Sequence, residues 1–60
     1  MNKVVHIVLI KGIDVETGEE KEYLSGAFTT KKKAFDWLMF NVENGEATRD
    51  EIRIETIALN

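Results

Sequence analysis

The chain has 60 residues, with 8 Lys and Arg side chains against 11 Asp and Glu side chains and a formal net charge of −3. This length predicts one small domain, residues 1–60, that buries about 60% of the surface its unfolded chain exposes. No cysteine is present, which excludes disulfides and thiolate chemistry, and the negative charge argues against a dedicated nucleic-acid binder.

The first predicted element is a strand, Val4 to Ile10, which is β-branched and almost continuously apolar. Lys11 and Gly12 end this run with no small-residue cleavage site behind it, so we expect a strand rather than a signal peptide and a cytoplasmic protein.

Both faces of this strand are apolar. One helix can cover only one face of a sheet, so the other face must meet water, a partner or a second copy of the chain. We predict a homodimer or higher homo-oligomer that associates through one alternating set of side chains: Val4, His6, Val8 and Ile10.

An acidic segment, residues 12–21, follows with a plausible turn at Thr17-Gly18 and lacks the full pattern of a calcium-binding loop. The second strand is predicted at Glu22 to Phe28. Gly26 lies inside it and indicates a bulge or close packing of the helix.

The only helix candidate is Thr29 to Val42, with hydroxyl residues at its start and Asn44-Gly45 after its end. At about 100° per residue its core stripe contains Ala34, Leu38 and Val42, flanked by Phe35 and Asn41. Trp37 and Phe40 lie at or beyond the margin of that stripe. They either cap the edge of the core or form a surface for a partner.

Lys31, Lys32 and Lys33 occupy the first turn of this helix, where the macrodipole disfavours cations. They form an anion or acidic-partner site, or they are simply solvated lysines.

The last strand is predicted at Arg49 to Leu59. Ile52 and Ile54 share one parity, whereas Ile57 and Leu59 share the other, which suggests a bulge or a tail buried on both sides. The predicted fold is therefore α+β, in the order β-β-α-β. It has a three-stranded antiparallel sheet of order 2-1-3 and one helix packed on one face.

Catalytic chemistry finds little support. His6 and Ser25, the only residues of their kinds, could pair across neighbouring strands, but no Gly-x-Ser-x-Gly turn accompanies the serine. One histidine and no cysteine also argue against a zinc site within one chain. We predict no enzyme, no cofactor and no metal.

The segment Gly26-Ala27-Phe28-Thr29-Thr30-Lys31-Lys32-Lys33-Ala34 resembles a pattern of short uncharacterised bacterial and phage domains, Gly-x-Phe-[Ser/Thr]-[Ser/Thr]-x-x-x-Ala, in which a strand and an acidic hairpin precede it and a helix and a strand follow. The resemblance implies a compact α+β fold and no assigned activity. The three lysines depart from that pattern. A phage origin would suggest an inhibitor of a host or defence factor.

Three hypotheses for function follow. The first is a non-enzymatic, self-associating protein that binds another protein through Trp37, Phe40 and Lys31 to Lys33. The second is a nucleic-acid-associated regulator that uses the same lysines. The third is a small-molecule or nucleotide binder formed between protomers, lined by His6 or Tyr23.

Overall fold

A computed structural model of the protein describes residues 3–59, so residues 1, 2 and 60 of the predicted domain lie outside it. Its elements are β1 (Val4–Ile13), β2 (Glu20–Phe28), α1 (Lys31–Glu43) and β3 (Ile52–Ala58). The sheet order is β2-β1-β3 and both pairings are antiparallel. The predicted β-β-α-β fold, with one helix on the sheet, is confirmed.

The helix packs on the face of β1 that carries Val8 and Ile10. Val8 is fully buried at the centre of a core completed by side chains from α1, β3 and the loop between them: Ala34, Leu38, Ala47 and Ile52. Ile10 packs against the same core.

This packing corrects the predicted self-association surface. Of its four residues, Val8 and Ile10 belong to the chain's own core, and Val4 and His6 lie further along the same face. The sequence could not identify the covered face, because both faces of β1 are apolar.

The opposite face of the sheet carries Val5, Ile7 and Leu9, which are only partly buried. Register places Leu24, Ala27 and Ile57 on the same face, and all three are exposed. We call these six residues the open face.

An ion pair crosses β1 on this side of the sheet. Arg53 donates to both carboxylate oxygens of Glu22, with distances of 2.7 Å from Nε and 2.8 Å from Nη2. Arg53 is opposite Leu9 and Glu22 is opposite Lys11, so the pair bridges the central strand. Its charge-assisted hydrogen bonds lower the pKa of Glu22 and raise that of Arg53.

A bulge interrupts β2 at Ser25. Val8 is opposite Gly26 and Leu9 is opposite Leu24, which leaves Ser25 as the extra residue. The predicted bulge near Gly26 is therefore confirmed. On one side of the bulge the even-numbered side chains of β2 share a face of the sheet with the odd-numbered ones on the other side. A strict alternation along the whole of β2 therefore assigns part of the strand to the wrong face.

The change of parity in β3 has a different cause from the one expected. The pairing of β3 with β1 runs from Val4↔Ala58 to Ile10↔Ile52 without a shift in register. Ile54 lies opposite Val8 on the helix side, whereas Ile57 lies opposite Val5 on the open face. The apolar residues thus change face along a regular strand.

The ends of α1 are capped as the sequence predicts. The Thr30 side chain accepts a hydrogen bond from the Lys33 backbone N–H at 3.2 Å, and the helix begins at Lys31. At the other end Gly45 has a φ of 75°, and its N–H donates to the Val42 carbonyl. Glu46 donates to the Asn41 carbonyl, which completes a Schellman motif.

The buried stripe of α1 is rotated relative to the predicted one. Ala34, Leu38 and Asn41 are buried, while Val42 is partly buried and Phe35 is 48% exposed. The stripe is therefore centred nearer to Trp37 than predicted. In the part of the chain that the structure describes, no helix has the length and apolar character needed to cross a membrane.

Candidate protein-binding groove

Three aromatic rings pack together on the side of α1 that faces β2. Trp37 and Phe40 are stacked, with centroids 5.5 Å apart and planes inclined by 19°. Phe28, at the end of β2, lies 6.2 Å from Trp37 at 45°. Trp37 is half-buried between them, whereas Phe40 is 54% exposed. The cluster thus offers a continuous aromatic surface to solvent.

The bulge in β2 positions this cluster. The Trp37 indole N–H donates to Ser25 Oγ at 2.9 Å, so the bulged residue satisfies the one polar group of the ring. Gly26 leaves the space that the rings occupy. A Cβ atom there would lie 2.9 Å from Phe28 and 3.2 Å from Trp37 Nε1.

Beside the rings is an open groove of about 340 Å³, lined by Phe28, Lys33, Asp36, Trp37 and Phe40. Its volume is at the low end of the range of about 300–1,000 Å³ found for ligand pockets. The four helical residues follow the pattern i, i+3, i+4 and i+7 and therefore share one side of α1. The groove has an aromatic wall and one cationic and one anionic side chain.

The structure separates the three lysines that the sequence grouped together. Lys33 lines the groove, whereas Lys31 and Lys32 are not among its lining residues. Lys32 instead pairs with Asp36 across one helical turn, with Nζ 3.2 Å from Oδ2. Of the five residues predicted to bind a partner, Trp37, Phe40 and Lys33 line the groove, together with Phe28 and Asp36.

Charge is distributed unevenly along the molecule, which measures 42 × 26 × 14 Å. The first turn of α1 carries three lysines and no acidic residue. The hairpin at the opposite end of the sheet carries four acidic residues: Asp14, Glu16, Glu19 and Glu20. The loop from α1 to β3 adds three more acidic residues and lies at that end, because Lys11 N–H donates to the Glu51 carbonyl.

Catalytic arrangements are not assembled from the residues considered in the sequence. Ser25 accepts from Trp37, and His6 Nδ1 shares a hydrogen bond of 2.8 Å with Thr56 Oγ1. Tyr23 is opposite Ile10 and His6 is opposite Phe28, so Tyr23 and His6 lie in different parts of the sheet. Among residues 3–59, no group of three or more His, Asp or Glu side chains is placed to hold a metal ion.

Sequence reasoning missed two contributors to the groove, Phe28 and Ser25. The sequence indicates only that Phe28 is a strand residue, because its contact with Trp37 depends on tertiary packing. A signal for Ser25 existed. A partly buried tryptophan N–H usually finds a hydrogen-bond acceptor, and Ser25 is the only serine in the chain.

Comparisons of the chain with family models, with curated proteins and with solved structures give no match. The resemblance to short bacterial and phage domains therefore stays a prediction, and the groove itself is the basis for a proposal about function.

Proposed function

We propose that this protein is a non-enzymatic module that self-associates and binds another protein through the groove beside Trp37 and Phe40. The observation that carries the proposal is the stacked pair of aromatic rings with Phe40 more than half exposed. Aromatic residues are enriched at the centres of protein interfaces, where their large area supplies much of the binding energy.

The nucleic-acid alternative receives less support from the lysines. Lys32 is paired with Asp36, and of the three lysines Lys33 lines the groove, so the groove offers fewer cations than the several phosphates of a nucleic acid would require. Added salt separates the two alternatives. Capture through phosphate contacts should weaken steeply between about 50 and 200 mM salt, whereas an aromatic contact should persist.

Phe35 provides a matched control for the groove. It is 48% exposed on the same helix, but it does not line the groove. The three chains are immobilised and exposed to a cell lysate. We expect the wild-type chain and the Phe35→Ala variant to retain the same protein, and we expect the Phe40→Ala variant not to retain it. If Phe40→Ala and wild type retain the same proteins, or if neither retains any, the groove is not a protein-binding site.

Self-association is proposed through the open face. Its central residues Val5, Ile7 and Leu9 have no helix above them, and Leu24 is 64% exposed. The charges of Arg53 and Glu22 on this side are already paired within the chain. A second copy that covers the apolar residues therefore meets Arg53 and Glu22 as an ion pair and not as isolated charges.

The test is the molar mass in solution, measured by light scattering over a range of concentrations. Ile57→Lys places a charge on the open face and should shift the protein to monomer. Phe35→Lys, on the helix, adds the same charge away from the open face and should leave the mass unchanged. A wild-type protein that stays monomeric at millimolar concentration would remove self-association from the proposal.

A role as a phage-encoded inhibitor of a host or defence factor is supported by the sequence resemblance alone. The identity of the protein captured with the Phe35→Ala variant and lost with Phe40→Ala is the direct check on that role.

A further inference from the structure

We infer that the groove binds an acidic polypeptide segment, with an apolar side chain of the segment against Trp37 and Phe40 and a carboxylate on Lys33. This inference rests on the proposed function and specifies the chemistry of the partner. Charge complementarity and the geometry of the aromatic wall both support it.

The groove has two ionic side chains, Lys33 and Asp36, and they differ in whether they are free to pair with a charged group of a ligand. Asp36 Oδ2 is 3.2 Å from Lys32 Nζ, so its charge is partly balanced within the helix. Lys33 makes no side-chain hydrogen bond or ion pair with any residue from 3 to 59. An incoming carboxylate therefore finds a cation ready to pair, whereas an incoming amine has to compete with Lys32 for Asp36.

The field around the groove acts in the same direction. The groove lies beside the first turn of α1, which holds no acidic residue, and Lys31 there adds a positive charge to that of Lys33. The acidic hairpin, with Asp14 at its start, lies beyond the far end of the sheet from Phe28. An acidic segment is thus attracted to the groove end of the molecule and repelled from the hairpin end.

The aromatic wall indicates what lies beside that carboxylate. The only N–H of the Trp37 ring is already donated to Ser25, and the phenylalanine rings have no polar atoms. The wall can therefore offer van der Waals contact and burial but no hydrogen bond, which suits a leucine-like or aromatic side chain.

The shape of the groove favours a polypeptide over a small molecule. Small-molecule sites usually bury about 70–90% of the ligand surface. Here Phe40, Lys33 and Asp36 are all exposed, so the groove is open along the helix and cannot enclose a ligand. An extended or helical segment can lie along it and insert one or two side chains.

The only tryptophan in the chain is Trp37, so its fluorescence reports directly on the groove. The probes are three end-blocked peptides titrated into the full chain at about 0.15 M salt. The first is Glu-Glu-Leu-Asp-Leu-Glu-Glu, the second replaces its acids by amides, Gln-Gln-Leu-Asn-Leu-Gln-Gln, and the third replaces its leucines by serines.

We expect the acidic leucine peptide to change the fluorescence and to bind on the order of fivefold more tightly than the amide peptide, as one to two exposed charge contacts would give. The serine peptide should produce no saturable change. Lys33→Gln should remove the preference for the acidic peptide. Lys31→Gln, which removes the same charge just outside the groove, should retain it.

Equal binding of the acidic and amide peptides would overturn the acidic preference, while the difference between Phe40→Ala and Phe35→Ala in lysate capture would still test protein binding independently. No saturable response to either leucine peptide would also overturn the inference. A third result would also overturn the inference: Trp37 fluorescence that changes with protein concentration alone, together with loss of that change in Val15→Ser. Val15 is 96% exposed between Asp14 and Glu16 in the hairpin, so this result would mean that the hairpin of a second copy occupies the groove.

Discussion

Gly26 is the residue at which the bulge of β2 meets the aromatic rings. Its φ is not positive, so the requirement for glycine there comes from space rather than from backbone conformation. Because an added Cβ would lie 2.9 Å from Phe28, Gly26→Ala must displace the ring or the strand. We expect a loss of about 1–3 kcal/mol in the free energy of unfolding, measured by urea denaturation.

The Phe28→Leu variant supplies the control for this steric explanation. Leucine is smaller than the ring that the new methyl group would meet, so Gly26→Ala should be less costly in the Phe28→Leu background than in wild type. An equal cost in both backgrounds would mean that contact with Phe28 is not what requires the glycine.

Individual residues of the groove were predicted unevenly from the sequence. Trp37 and Phe40 could be identified because their helical positions place them beside the core stripe, where large aromatic side chains are only partly covered. Lys33 could not be distinguished from Lys31 and Lys32 by composition. Its place in the groove follows from its position one turn before Trp37.

The first turn of α1 is the weak point of the helix, because its three lysines interact unfavourably with the helix dipole. No acidic residue balances the dipole at this end, so the cap at Thr30 is the main local support for the helix start. Thr30→Ala removes the acceptor for the Lys33 N–H and should lower the free energy of unfolding by about 1 kcal/mol.

Thr29→Ala is the matched control, because the same change one residue earlier removes a hydroxyl that makes no hydrogen bond to residues 3–59. It should shift the urea midpoint by much less than Thr30→Ala. A shift of similar size from both variants would show that the hydroxyl of Thr30 does not cap the helix.

At the other end of α1, Gly45 is required by the backbone itself. Its φ of 75° lies in the left-handed region, and nothing is within 4 Å of the position that a Cβ would take. Gly45→Ala should therefore lower the free energy of unfolding by roughly 1 kcal/mol through strain alone. Glu46→Ala, at the next residue, should have little effect in the same thermal or urea unfolding measurement.

Element types and order were predictable, whereas faces were not. The periodicity of α1 and its caps gave the helix, and the apolar run of β1 gave a central strand. The face that the helix covers was not encoded in β1, because Val8 and Leu9 are equally apolar. The bulge at Ser25 also changed the faces of β2 relative to a simple alternation.

The molecule as a whole is thin, with a single helix over a sheet whose long hairpin extends beyond it. Few of its described side chains are fully buried, so hydrogen-bonded ion pairs on the surface add to the stability that the small core provides. Asp14 pairs with Lys21 at 2.7 Å in the hairpin, and Glu22 pairs with Arg53 across β1. These pairs predict how the stability depends on pH.

The hydrogen bond from Lys21 lowers the pKa of Asp14, that from Arg53 lowers the pKa of Glu22, and those from Thr48 lower the pKa of Glu51. A carboxyl with a lower pKa in the folded state stabilises the fold above its unfolded pKa of about 4. That contribution is lost as the pH falls through the folded pKa. We therefore expect the free energy of unfolding to decrease as the pH falls below about 4.

Glu22→Gln isolates one of these contributions, because it keeps the shape of the side chain and removes the charge that pairs with Arg53. In urea unfolding measured from pH 7 to pH 2, this variant should be less stable than wild type at neutral pH and should converge with it in acid. Glu46→Gln, whose side chain makes no ion pair within residues 3–59, should follow the wild-type curve. A constant difference between Glu22→Gln and wild type at every pH would mean that packing of the side chain, and not its ionisation, stabilises the sheet.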